Sequence, residues 1–425
     1  MKLVLIGARN YAFTTTFLRD TLEKYRFADE LVLMDSNKDI AGLMTVVGRK
    51  IASDLDLKTK INTTSDRKTA LTNADFVFLA SYPEIKKRWR MDAELLNRYN
   101  MGYQSRECGG LGGLSNALRG IHYTMELVHE MEKICPNAVL LTVLNPLTRI
   151  VTAVNSYSTI KCYGFSNVAK KGNYGYQWIA DITECQLKNI YAVTAGLNRL
   201  AWLVSAADII NGINLYPIVR NTVKKFSTRE ACIIQTWLRE HGGIMVGDID
   251  LQAELLPFQP EIKYVTSPPY MGNNTDFEHQ WQVLRDIAVG EIDWRTNYPI
   301  DSWERSITFA MAIADKKSAN IDILNLPNDG HIRDYPNGPV VEVPVQIVDG
   351  MLVKHPEIKL PGKTIDLCIQ ISQIHDLITK GAVNCDLSTL HEGIDIDIAI
   401  NKKEIAHDAL EKILLLHADI LPKYK

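Results

Sequence analysis

Within the first 165 residues, short runs that are apolar at nearly every position alternate with amphipathic stretches. The runs are Lys2-Leu3-Val4-Leu5-Ile6, Leu31-Val32-Leu33-Met34, Phe76-Val77-Phe78-Leu79-Ala80 and residues 138–144. A strand with one face in water alternates apolar and polar residues, so a run apolar throughout is buried on both faces. That is the condition of a parallel strand covered by helices on either side. Between the last two runs, Leu118, Ile121, Met125, Val128 and Met131 recur at helical spacing and stop before Pro136. The alternation predicts an α/β fold with an N-terminal, doubly wound parallel sheet of Rossmann type.

After about Ser166 the regularity fades. Ser227-Thr228-Arg229-Glu230 reads as a capping box opening a helix that runs to about His241. Pro268-Pro269 and Gly272-Asn273-Asn274 mark a loop. Residues 402–421 form a last amphipathic helix with Ile405, Leu410, Ile413 and Leu414 on its apolar side. No repeat or low-complexity linker interrupts the chain, and its 425 residues suit two closely packed domains. The expected division is a dinucleotide-binding Rossmann domain over 1–165 and a mixed α/β domain over 166–425, which binds substrate and carries oligomer contacts.

A net charge of −3 gives no electrostatic reason to expect nucleic acid or an anionic membrane as partner. No apolar run approaches the roughly 18 residues that span a bilayer. The opening MKLVLIGARN lacks a small-residue cleavage site and reads as a buried strand. Seven scattered cysteines without a Cys-x-x-Cys pair fit reduced thiols and a cytoplasmic location.

A strand, a turn at Gly7 and a helix aim backbone N–H groups at a site where a pyrophosphate can sit. Gly7-Ala8-Arg9-Asn10-Tyr11 keeps only the first glycine of the G-x-G-x-x-G fingerprint, so the turn is a thin signal by itself. Asp35 strengthens it, because an acid ending the second strand accepts from the adenosine ribose hydroxyls and repels a 2′-phosphate. NAD is therefore favoured over NADP. The same aspartate also suits an ordinary turn. Ser81 and Asn145 end later strands where a dinucleotide crosses the sheet edge, although Asn145-Pro146 also suits a plain turn. The cofactor set is thus Gly7, Arg9, Asn10, Asp35, Ser81 and Asn145.

Four further stretches carry a resemblance. They are Cys108-Gly109-Gly110-Leu111-Gly112-Gly113 running on to Ala117-Leu118-Arg119, and Asn145-Pro146 followed by Ile150-Val151-Thr152. The others are Thr194-Ala195-Gly196-Leu197-Asn198, and Asn325-Leu326-Pro327-Asn328-Asp329-Gly330 with Val341-Glu342-Val343-Pro344. In this order the chain resembles glycoside hydrolase family 4, NAD-dependent glycosidases related in fold to lactate and malate dehydrogenases. The resemblance implies a reaction unlike hydrolysis by two carboxylates. In that family NAD takes a hydride from C3 of the sugar, a base removes the acidified C2 proton, and the aglycone leaves by elimination. Water then adds and the hydride returns. A divalent metal, usually manganese, polarises the C2 and C3 oxygens. Homodimers or homotetramers acting on glycosides or uronides are implied as well.

The metal ligands are where the sequence departs. The family's Cys and His positions read Gly164-Phe165-Ser166-Asn167 and Gly196-Leu197-Asn198-Arg199. A hydroxyl is a poor ligand for such an ion, and Arg cannot lose its proton to coordinate one. A third stretch, Val246-Gly247-Asp248-Ile249-Asp250-Leu251, resembles the galacturonidase branch but lacks its His, with Asp250 nearby. Two readings follow. In one, Arg199 replaces the ion and donates hydrogen bonds to the C2 and C3 oxygens. In the other the elimination is lost, leaving an NAD-dependent sugar dehydrogenase or a non-catalytic protein that binds NAD and sugar. The resemblance draws the proton-transfer candidates Asp248 and Tyr264, the latter needing a cation such as Arg199 to lower its pKa. It also assigns Asn167 to sugar hydroxyls, with Ser166 and Asn116 beside the substrate, and Arg119 to substrate or cofactor phosphates. Arg106 and Glu107 precede the glycine-rich segment and line the same cleft.

Overall fold

The computed structural model describes residues 1–170, 175–268, 274–297, 304–355 and 358–425. Most of the loop expected around Pro269 and Gly272-Asn273 lies outside the described residues. Six strands, β1 (Lys2–Ile6), β2 (Glu30–Met34), β3 (Lys60–Thr64), β4 (Phe76–Leu79), β5 (Val139–Thr142) and β6 (Cys162–Gly164), pair in parallel in the order β3-β2-β1-β4-β5-β6. This is the doubly wound Rossmann order, in which the sense of crossover reverses between β1 and β4. The apolar runs are its central strands, with Leu3 beside both Leu31 and Phe76 and each of these buried.

The sheet does not stop at β6. It continues through antiparallel strands in the order β10 (Ala319–Pro327), β11 (Val340–Val348), β7 (Ile190–Leu197), β8 (Leu200–Asp208) and β9 (Ile213–Asn214), with β12 (Met351–Lys354) hairpinned onto β11. Asn325 pairs with Gly164 and Glu342 with Gly196. Stretches far apart in sequence thereby meet at one junction, because β6, β10, β11 and β7 are neighbours in that order.

A helix over Gly110–Ile134 crosses the core and packs on the Leu147–Tyr157 and Thr364–Asn384 helices. It begins eight residues before Leu118, since Gly110 to Gly113 form its first turn. Small residues there admit a close crossing: a Cβ on Gly109 would lie 1.8 Å from the Glu254 carbonyl oxygen. Two expected details shift. The Arg229–His241 helix is capped by Thr228, whose side chain accepts from the Ala231 N–H, so the cap falls one residue later than Ser227. The last helix spans Lys403–Leu416 and buries Ala406, Ala409, Leu410 and Ile413, while Ile405 is exposed. Among the described residues no helix is long and apolar enough to cross a membrane.

Candidate active site

At the carboxyl ends of β1, β2 and β4, a cleft of about 580 Å³ is lined by Gly7, Arg9, Asp35, Arg67, Ser81 and Tyr123, among others. Gly7 turns with φ +88°, and its N–H donates to the Met34 carbonyl at 3.0 Å. A Cβ there would lie 2.8 Å from the Ser81 nitrogen, so only glycine lets the β1 turn approach the end of β4 this closely. The Asn10 side chain caps the Tyr11–Arg19 helix by accepting from the Phe13 N–H. Asp35 is buried and oriented by two backbone donors, Arg9 N–H at 3.0 Å and Asn37 N–H at 2.9 Å. Two bonds leave a carboxylate with further acceptor capacity. Turn, helix start and oriented carboxylate together fit an NAD molecule. Arg67 and Tyr123 were not singled out in the sequence, and Arg67 stands over the Tyr123 ring at 5.6 Å.

Asn116 joins this cleft to a second polar centre. Its Nδ2 donates to the carbonyl oxygens of Asn145 (3.2 Å) and Glu107 (3.1 Å), and its Oδ1 accepts from the Tyr82 hydroxyl at 2.6 Å. Beyond Glu107 lies Arg199, on the tight turn between β7 and β8 with φ +68°. Its guanidinium is paired with the Glu107 carboxylate and, at 3.2 Å, with Glu254. Glu254 is fully buried and also accepts from the Cys108 N–H at 2.7 Å. Burial raises the pKa of Glu254 against the pull of Arg199. For Arg199 burial acts downward, but facing Cys108, Glu254 and Glu107 outweigh it and hold the guanidinium protonated.

A neighbouring cluster completes the junction. Asn198 Nδ2 donates to Ser166 Oγ at 2.9 Å and to Glu342 Oε2 at 3.0 Å, and Asn325 Nδ2 donates to the same Glu342 oxygen at 3.0 Å. Burial pushes the Glu342 carboxyl up to about 6, opposed by those two amides and by Arg199. Asn167 Nδ2 donates to Glu304 at 3.0 Å. The donor set does not fit a divalent ion at the family positions. Ser166 offers only a hydroxyl already engaged by Asn198, and a guanidinium held by two carboxylates has no lone pair to give. Among the described residues, no three or more His, Cys, Asp or Glu side chains are grouped to hold a metal ion.

The remaining expected residues have other partners. Asp248 caps the short Ile249–Gln252 helix by accepting from Leu251 N–H, and Asp250 pairs with Arg229 at 2.7 Å. The cation facing Tyr264 is Arg106, 3.8 Å from the ring centre, and not Arg199 as expected. Burial raises the Tyr264 pKa in spite of Arg106, so this phenol is not made more acidic. Arg119 is buried in a network with Asp92 (2.8 Å), Ser115 and His417 (3.0 Å). Sequence reasoning missed Glu254, whose one signal is an acid beside Leu255-Leu256, and gave Glu342 and Asn325 no part beyond their motif.

Comparison with known proteins places these features in one lineage. A profile described as "Family 4 glycosyl hydrolase" matches residues 2–172, and one described as "Family 4 glycosyl hydrolase C-terminal domain" matches residues 194–398. An α-glucosidase of Erwinia rhapontici is 23% identical over 434 aligned residues, covering 94% of each chain. Among solved structures, a putative glucosidase (lplD) of Bacillus subtilis superposes with a TM-score of 0.83 at 18% identity, over 97% of this chain and 99% of that one. A 6-phospho-α-glucosidase from gut microorganisms, in complex with NAD and Mn2+, gives 0.81 at 18% identity, covering 100% of this chain and 99% of that one.

Proposed function

This chain belongs to glycosyl hydrolase family 4, and we propose that it cleaves glycosides or uronides through NAD-assisted elimination, with Arg199 standing in for a divalent metal. The observation that carries this reading is the Arg199 guanidinium fixed by Glu107 and Glu254 directly after Gly196-Leu197-Asn198. NAD would be held by Gly7, Arg9, Asn10, Asp35, Ser81 and Asn145, and when bound it supplies an oxidant for the sugar's C3 carbinol. All other demands fall on side chains.

Arg199 provides fixed, charge-assisted donors where negative charge develops on the C2 and C3 oxygens. Such preorganised donors are worth roughly 10²–10³ in rate each. Ser166, Asn167 and Asn116 are assigned to sugar hydroxyls around it. Asp248 and Tyr264, the proton-transfer candidates drawn from the resemblance, cap a helix and face Arg106, and Arg119 acts as a positioning residue, since Ser115 beside it precedes Asn116. Residues 1–165 would serve the cofactor, and 166–425 the sugar and the contacts of a cytoplasmic homodimer or homotetramer. One observation favours a second reading: two carboxylates already compensate Arg199, weakening it as an electrophile. A protein left with oxidation alone would be a sugar dehydrogenase, and one left with neither step a binding protein.

Turnover of a nitrophenyl glycoside panel with NAD in heavy water separates these readings. The proposal expects released nitrophenol, deuterium at C2 of the product and no net NADH. Net NADH without C2 deuterium would identify a dehydrogenase. NAD binding without any turnover would leave only the binding role.

A further inference from the structure

Resting on the reading above, we propose that Glu107 is the base that takes the C2 proton, with Arg199 receiving the negative charge that results. Three observations place it there. First, of the two carboxylates paired with Arg199, the Glu107 side chain is 26% exposed while that of Glu254 is 0%, and Arg199 itself is 4% exposed. Glu342 is also sealed, and two amide donors share one of its oxygens. A sugar arriving from solvent therefore meets Glu107. Second, Asn116 ties the Glu107 carbonyl to that of Asn145, so Glu107 is anchored to the carboxyl end of β5 beside the dinucleotide cleft. Third, the two residues that the family's pattern suggested are committed elsewhere. Asp248 caps a helix, and Tyr264 lies under Arg106.

The chemistry balances within this cluster. Once C3 has been oxidised by the nicotinamide dinucleotide, a carboxylate oxygen of Glu107 takes the C2 proton. The C2–H electron pair passes toward the C3 oxygen as an enediolate, then returns to form the C1–C2 double bond as the C1–O bond to the aglycone breaks. The aglycone oxygen leaves with the C1–O bonding pair and takes a proton from solvent. During deprotonation one negative charge leaves Glu107 and appears on an oxygen facing the same guanidinium. Arg199 thus exchanges one anionic partner for another, while Glu254 holds it in place. Little net charge is created in a buried site, where unpaired charge is costly.

The test uses the whole chain and a methyl 3-keto-glycoside of a sugar accepted in the panel, so that oxidation is already complete. Proton–deuterium exchange at C2 is followed by NMR in heavy water, and NAD affinity is measured separately by calorimetry. Wild type should exchange, and Glu107→Gln should slow exchange by about 10²–10⁴, the usual contribution of a positioned base, with NAD affinity retained. Glu107→Asp, which keeps the carboxylate, should recover part of the rate. Exchange in Glu107→Gln at the wild-type rate would overturn the assignment while leaving the elimination reading standing. Absence of exchange in an NAD-binding wild type would overturn the elimination reading itself, and Glu107's part with it.

Discussion

Asp35 and Glu342 are both carboxylates sealed from solvent, and the fold uses them differently. Asp35 is oriented by two backbone N–H groups at the rim of a cleft, where acceptor capacity remains for a ligand. Glu342 is packed between Asn198 and Asn325 and pushed up to about 6 from an ordinary value of 4.5. A carboxyl raised by folding contributes stability that is present below its unfolded pKa and is lost as pH climbs through its folded one. Wild type should therefore lose about 2 kcal/mol relative to Glu342→Gln between pH 4.5 and 7, read from urea unfolding of both at several pH values. A constant difference would contradict it. Arg199→Lys keeps the charge but loses the planar fork, and kcat should fall by roughly 10²–10³ with NAD affinity unchanged. At this scale Asp35 was legible because it ends a strand in a recognisable unit. Glu254 was not, since nothing local shows that residues 107 and 254 meet.

The elements follow from periodicity where both faces are buried. Each run apolar at every position became a parallel strand, because such a run has no face to give to water. The glycine-rich stretch was harder to read. Gly110, Gly112 and Gly113 are poor helix formers, yet they open a 25-residue helix because their lack of side chains lets residues 104–108 pack against it, as Gly109 before them admits Glu254. The final helix shows the opposite error. A moment drawn through Ile405 fits the spacing, but the core takes the smaller Ala406 and Ala409. The β1 turn makes the sharpest prediction at this scale. Gly7→Ala sets a Cβ 2.8 Å from Ser81 at φ +88°, so it should cost about 1–3 kcal/mol of stability and weaken NAD binding at least about tenfold, about 1.4 kcal/mol, by calorimetry. Unchanged NAD affinity would contradict the cleft's assignment.

Across the whole molecule, the parallel and antiparallel halves are one sheet, and the site forms at their seam between β6 and β10. That seam was not readable. Strands β7 and β12 have exposed positions and the β7–β8 and β10–β11 registers are bulged, which blurs a two-residue period, while the pairs that join the halves, Gly164 with Asn325 and Gly196 with Glu342, lie over a hundred residues apart. The chain's end is fastened to its beginning as well. Asp92 binds Arg119 at 2.8 Å and His417 at 2.7 Å, with all three buried. Removing one partner of a buried charged group strands the other, so Asp92→Ala should lower unfolding free energy by about 3–5 kcal/mol in urea titrations. A loss under 1 kcal/mol would contradict that role. The claim on which the function turns is that a guanidinium replaces the metal. It is tested by turnover of the glycoside panel with NAD before and after exhaustive chelation. Activity indifferent to chelator and to added manganese is predicted. Activity abolished by chelation and restored by manganese would contradict it.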